Sequence, residues 1–220
     1  MRKIFIILLV FAILIACRFS FDKKIKGNGV FTTEQRKSSN TKKIKIIGNF
    51  DVQVSQSTSP SVEVSADANL MDYILTYDDD GWLKIKEKDG FDIKSSSPIK
   101  ILVNTTLLEN LEIVGSCNIK GMNKLAGSEK LEIKIAGSGD ISLSVNTPKI
   151  IAGIAGNGDI SIDGETKDLK VSIAGTGDFK GENLKSENAS VHISGSGDVH
   201  VFASNTLDIH IAGSGDVTYS

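Results

Sequence analysis

Proline is scarce in this 220-residue chain, at 3 residues, and aromatic side chains make up only 6% of it. No stripe of Lys and Arg is interleaved with those aromatics and the formal net charge is −2, so nucleic acid is not an expected partner. Cysteine is limited to Cys17 and Cys117, too few for a disulfide framework. The three histidines, His192, His200 and His210, belong to no Ser-His-Asp or Cys-His constellation, and a zinc site built on them would lack cysteine partners. The glycine-rich turns lead into strand-like residues, without the Lys and the helix that a phosphate loop needs. Glycine, by contrast, is plentiful at 21 residues, and an apolar share of 40% is enough to bury a core. Together these features suit short strands joined by tight turns.

Arg2 and Lys3 precede an apolar run from Ile4 to Ala16, too short for a comfortable bilayer span and typical of a secretory signal. The run closes on Leu14-Ile15-Ala16-Cys17, which resembles the lipobox of bacterial lipoproteins. That resemblance implies cleavage after residue 16 and lipid on Cys17. Residues 1–16 are therefore expected to be a lipoprotein signal peptide, in preference to a buried N-terminal segment or an uncleaved anchor. Cys117 would then be the remaining thiol. Set among apolar strand residues in "IVGSCNIKG", it reads as a small buried hydrophobe and not as a nucleophile.

Residues 17–42 are polar, rich in Lys and Ser and without periodicity, as expected of a partly ordered tether. Residues 43–104 read as an irregular β-rich section. Ile44, Ile46, Val52 and Val54 alternate with polar residues and predict half-buried strands. "SVEV" and "PIKILVN" predict further strands, "DANLMDYI" a short helix capped by Asp67, and "LTYDDDGWLKIKEK" a hairpin turning at Asp80-Gly81. Tyr73 and Trp82 are expected in core or sheet-edge packing.

Residues 105–220 are a repeat array. The motif G-x-G-D begins at Gly137, Gly156, Gly175, Gly195 and Gly213, at spacings of 19, 19, 20 and 18, with a degenerate copy, "GSCN", at Gly115. Apolar residues fall in the same slots before each corner, as in Leu131, Ile133, Ile135 and Ile150, Ala152, Ile154. They do so again after it, as in Ile141, Leu143 and Val199, Val201; the pair Phe179, Gly181 breaks the second slot. Each copy is thus strand, corner, strand and a variable polar connection with no helix long enough for a crossover. Antiparallel hairpins and a solenoid both fit that outline, and the near-constant period decides for an all-β parallel β-helix. Rungs of about 19 residues would stack at about 4.8 Å, and parallel crossovers favour the right hand.

The corner has two readings. Gly137, Gly139, Gly156, Gly158, Gly175, Gly177, Gly195, Gly197, Gly213 and Gly215 would supply positive φ and close backbone approach, while each Asp accepts a backbone N–H within its turn. In the sharper reading, Asp140, Asp159, Asp178, Asp198 and Asp216 form a ladder that binds Ca²⁺, otherwise a chain without cofactors. The pattern matches the calcium-binding RTX repeats only in part, because their period is shorter and their glycines are spaced differently. The first reading is preferred. Carboxylate pairs are too easily found on a β-solenoid to argue glycosidase chemistry, so no catalytic residue is assigned. Outward positions such as Glu132, Lys134, Ser142, Ser144, Ser172, His192 and His200 are expected to form ribbons, with His192 brought near His210.

The lipobox, the "GNG" at 27–29, "IKIIGNFDVQV" and the serial "IAGSGD" corners together resemble the bacterial auto-transporter adhesin head GIN domain family, a domain of unknown function. The resemblance covers about residues 27–220 and implies a β-helical fold and an adhesin-like role, with no catalytic residues to carry over. The expectation is a non-enzymatic, lipid-anchored protein of the cell envelope, on the outer membrane, whose solenoid faces bind protein or glycan. Its last rung, ending "GDVTYS", is an unpaired edge that could dock another subunit. A polysaccharide-acting β-helix enzyme and a ligand-free structural or sensory module are the alternatives.

Overall fold

A computed structural model describes residues 23–220. Successive copies stack in parallel. Leu131–Gly137 lies beside Lys149–Gly156, with Leu131, Ile133 and Ile135 opposite Ile150, Ala152 and Ile154. The same register continues through 168–175, 188–195 and Thr206–Gly213, so each first glycine sits on the one before it. These strands form side one of the coil. Past the corner, Ile141–Asn146, the first part of Ile160–Gly175, Phe179–Gly181, Val199–Val201 and Val217–Tyr219 stack in the same way as side two. Parallel stacking lets each strand satisfy the backbone of the next and sets like side chains in columns, which is why a constant period builds a β-solenoid.

The apolar slots fill the interior: Leu131, Ile133, Ile135, Ile150, Ile160, Val171 and Val191 are each at most 2% exposed. The broken slot at Gly181 is mended by packing. Any Cβ on Gly181 would run into the Phe179 ring, so the large side chain of the first slot occupies the volume that the second leaves empty. The polar connections also point one residue inward. Ser128, Thr147, Thr166 and Ser186 are all buried, and the Ser128 and Thr147 hydroxyls lie 3.3 Å apart.

The stack takes in an earlier segment whose corner is "GNFD". Lys43–Gly48 pairs in register with Asn110–Gly115, and Asp51–Gln56 pairs with the start of Asn118–Ala126. Between them, residues 57–109 fold back over the N-terminal end. On side two, Lys100–Thr105 pairs parallel with Asp51–Gln56, but the next strands outward, Ser61–Asp67 and Phe31–Arg36, run antiparallel. On side one, Trp82–Glu87 pairs parallel with Lys43–Gly48 and turns back on Ile74–Asp79 through the predicted hairpin, with positive φ at Asp80 and Gly81. Val62, Val64, Ala66, Leu70, Met71 and Ile74 seal that end of the core. Tyr73 packs against the core and tilts against Phe91 at 4.8 Å, while Trp82 is half-buried beside the hairpin.

Within the stretch expected to be a partly ordered tether, Lys23–Lys26 pairs with Phe91–Lys94 and Phe31–Arg36 joins the cap. One detail differs from the sequence reading. Asp67 does not cap a helix. Ala68–Tyr73 is a short 3-10 helix without a side-chain cap, and the buried Asp67 carboxylate accepts hydrogen bonds from Ser95 Oγ, Ser96 N, Ser96 Oγ and Gly29 N at 2.6–2.8 Å. Four donors satisfy a buried carboxylate better than the few free N–H groups of a single turn could. Those bonds, led by the Ser96 hydroxyl, hold the carboxyl well below the usual range. Gly27 packs directly on the carboxylate, which accounts for the "GNG" segment. The signal peptide reading and Cys17 lie outside the described residues.

Candidate functional site

The two glycines of a corner are needed for different reasons. Gly156 has φ +135°, a conformation that side chains avoid, and a Cβ there would fall on the Gly137 carbonyl oxygen. Rungs approach so closely because that same oxygen accepts the Asn157 N–H at 2.9 Å. Gly158 lacks the unusual backbone angle, yet its Cβ would fall on the Gly139 carbonyl. The same contacts recur at Gly137 and Gly139, Gly175 and Gly177, Gly195 and Gly197, and Gly213 and Gly215. In the first two rungs the second glycine's place is taken by Phe50 and Cys117, whose side chains turn into the core. Burial pushes the Cys117 thiol up to about 11, so it carries no thiolate near neutral pH.

The corner aspartates form a ladder along the edge of side two. Asp159 N–H donates to Asp140 Oδ1 at 3.1 Å, and Asp178, Asp198 and Asp216 each donate to the preceding Asp at 2.9 Å. The carboxylate does accept a backbone N–H, as the sequence suggested, but from the next rung and not from its own turn. Parallel stacking places that N–H directly over it. Like charges about 5 Å apart repel by about 0.8 kcal/mol in water, and the aligned N–H dipoles offset this. Lys180 Nζ adds a cation 2.6 Å from Asp159 Oδ2. Partial burial works to raise the Asp159 pKa, but Lys180 and the Asp178 N–H outweigh it and hold the group low. The hydrogen bond to Asp159 in turn raises Lys180. One oxygen in each of Asp140, Asp159, Asp178 and Asp198 is thus committed to backbone. Among the described residues no three His, Cys, Asp or Glu side chains converge as a metal site. The backbone hydrogen bonds give the aspartates a structural role in the stack.

This edge separates two grooves. The side-two groove, about 520 Å³, crosses the rungs between the aspartate column and the next outward column, Gln53, Lys120, Ser142, Ser161 and Lys180. Lys100, Asp51, Asn118, Asp140 and Asp159 line its other flank, so cations stand toward both ends and hydroxyls in the middle. The side-one groove, about 590 Å³, is apolar. Its floor is the column just before each first glycine, Val114, Ala136, Ala155, Ala174, Ser194 and Ala212, and Lys45, Glu112, Lys134, His192 and His210 rim it. Glu112 bonds Lys45 at 3.0 Å, and Lys134 bonds Glu132 at 2.5 Å. His192 and His210 stack with ring centroids 5.1 Å apart, as the register required. His200 stands apart from them on side two, between Lys180 and Thr218. A third, polar recess of about 460 Å³ at the N-terminal end is lined by Asn49, Asp51, Glu87 and Ser95 to Ser97, and burial raises the Glu87 pKa there.

Of the ribbon residues expected from sequence, Ser142 faces the side-two groove and Lys134, Ser172 and His192 the side-one groove. Ser144 instead donates to Asp163 on the next rung. Gln53, Lys100, Lys120 and Lys180 were not singled out. Lys120 and Lys180 were readable as the outward residues two after the corner Asp or Asn, but Lys100 enters only because the cap returns to side two.

Residues 40–220 match the family described as "putative auto-transporter adhesin, head GIN domain". Among curated proteins, none matches the chain. Three solved structures resemble it closely. A "putative lipid binding protein" from Parabacteroides distasonis is 25% identical at TM-score 0.70, with 90% of this chain and all of that one covered. A "putative adhesin" from Bacteroides fragilis is 16% identical at TM-score 0.80, over 89% of this chain and all of that one. A "putative adhesin" from Parabacteroides merdae is 20% identical at TM-score 0.61, over 90% of this chain and 99% of that one. The family match spans the whole stack of corners from "GNFD" onward, and this chain belongs to the auto-transporter adhesin head GIN domain family.

Proposed function

We propose that this protein is a non-enzymatic, adhesin-like module of the bacterial cell envelope, held to the outer membrane by lipid on Cys17, that binds glycan along its side-two groove. The observation that carries the reading is the groove itself. Aspartates and serine hydroxyls repeat across it at rung spacing, with lysines before and after the serines, which suits a ligand offering a hydroxyl-rich repeat. Stacked aspartates beside lysines are also what a polysaccharide-acting enzyme would show. Glycosidic hydrolysis needs one carboxyl protonated near neutral pH, a role that Asp159, held low, does not fit. A glycan array tests the reading directly. Retention of one glycan class, weakened about tenfold by Lys120→Ala or Ser142→Ala, supports it. Silence on the array combined with turnover of a polysaccharide overturns it. Loss of metabolic palmitate labelling in Cys17→Ser tests the anchor.

A second reading rests on the side-one groove, whose floor is apolar and whose rim carries Lys45 and Lys134. The relative from P. distasonis described as lipid binding points the same way. Saturable uptake of a fluorescent fatty acid, abolished by Ala155→Asp, would favour it over the glycan.

A further inference from the structure

The two ends of the coil are finished differently. At the N-terminal end the outermost strands, "FTTEQR" and "ILTYDD", expose Phe31 and Tyr77 but set them among polar side chains, and the core beneath is sealed. At the C-terminal end, Thr206–Gly213 and Val217–Tyr219 pair on one side only among the described residues. Their slots are interior slots. One rung earlier the equivalent residues Val191, Ile193, Val199 and Val201 are at most 2% exposed, whereas Ile209 is 38%, Ile211 41% and Tyr219 65% exposed. Terminal rungs of solenoids need a polar outer face, and edge strands are ordinarily blunted by Pro, Lys or an inward charge. Thr206–Gly213, with the sequence "TLDIHIAG", has none of these devices.

We propose that a second copy of this chain covers that end, pairing Thr206–Gly213 antiparallel with itself about a twofold axis at Ile209. Such an axis, normal to side one, keeps inward residues inward and joins the two cores through a continuous sheet. The sequence selects the register. With the axis at Ile209, Leu207 faces Ile211 of the other copy, and Asp208 faces His210 of the other copy twice over. Moving the axis to Asp208 sets two carboxylates opposite each other; moving it to His210 sets two imidazoles opposite each other and leaves Asp208 across from Ala212. Any axis midway between residues would pair inward with outward side chains. One register therefore matches both apolar slots and charges. This interface is separate from both grooves, so it stands or falls independently of the glycan reading.

The full chain carrying Cys17→Ser, examined by sedimentation across a wide concentration range, should give a reversible dimer. Ile209→Lys, an exposed position at which folding can be confirmed by circular dichroism, should raise the dimer dissociation constant at least about 100-fold. Mild oxidation reads the register. Ile209→Cys should form an inter-chain disulfide, because self-opposed residues lie within bridging distance. Ile211→Cys, equally exposed, should not, because its own counterpart would be about 13 Å away along the strand. The buried Cys117 does not compete. A monomer at every concentration overturns the proposal. So does a dimer indifferent to Ile209→Lys, as association through the apolar leader would give. Equal or faster bridging through Ile211→Cys overturns the register.

Discussion

The regular rungs and the N-terminal cap close the same core by opposite means. In the rungs, one contact is repeated: glycine carbonyl to the next corner's N–H, Asp N–H to Asp carboxylate, apolar slot on apolar slot. In the cap every contact is used once. Antiparallel strands replace parallel ones, and Asp67 gathers Ser95, Ser96 and Gly29 from distant parts of the chain. Repetition makes the rungs tolerant of variation in the outward residues and the polar connections and intolerant of it at the corner glycines and the inward slots. The cap instead depends on a few individual side chains.

Mutations can sharpen that contrast. The largest effect is expected at Phe179, where truncation to Ala removes a buried ring that fills two slots and should cost about 3–5 kcal/mol in chemical denaturation. Phe179→Val combined with Gly181→Val restores the pattern of Val199 and Val201 in the next rung and should recover most of that loss. Gly181→Val alone should destabilise by collision with the ring. Next comes the corner. Gly156→Ala meets both a forbidden φ and a neighbouring carbonyl and should cost about 2–4 kcal/mol. Gly81→Ala, at φ +76° with open space around it, should cost only about 1 kcal/mol. Equal losses at the two glycines would mean that rung stacking is looser than the register indicates.

Asp67→Asn should act locally, lowering hydrogen-exchange protection in Lys23–Lys26 and Phe31–Arg36 while leaving the rungs past Gly137 protected. Because the folded carboxyl sits below its ordinary value of 3.8, its contribution is complete above that pH. It is lost as pH falls from there toward the lowered folded value. Acid melting profiles of the wild type should carry this dependence, and those of Asp67→Asn should lack it. The smallest effect belongs to the exposed Lys180–Asp159 pair, where Lys180→Ala should cost under about 1 kcal/mol. Melting that shifts between EDTA and Ca²⁺ would contradict the structural role assigned to the aspartate ladder.

The rungs were legible because the physics that builds them is periodic. Glycine spacing and alternating apolar slots are visible in one dimension and dictate which residue lies over which. The buried hydroxyls of Thr147, Thr166 and Ser186 were equally readable in principle, at ten, ten and eleven residues past the first glycine, but the connections around them vary and mask the signal. Asp67 misled, because a short polar residue before a helix-like stretch looks the same whether its partners are local N–H groups or serines nearly thirty residues away. The side-two groove was half readable: its Ser and Asp columns follow from the repeat, while Lys100 arrives from the cap.

By itself the sequence determined the parallel stack, its core columns and the edge of glycines and aspartates, since each follows from a local pattern copied at a fixed interval. Tertiary structure alone decided how the N-terminal end is sealed and how two differently lined grooves come to flank one edge. It also left the last rung's interior side chains in the open. Those outcomes depend on where non-repeating segments travel, and contacts between distant segments leave no period in the chain to read.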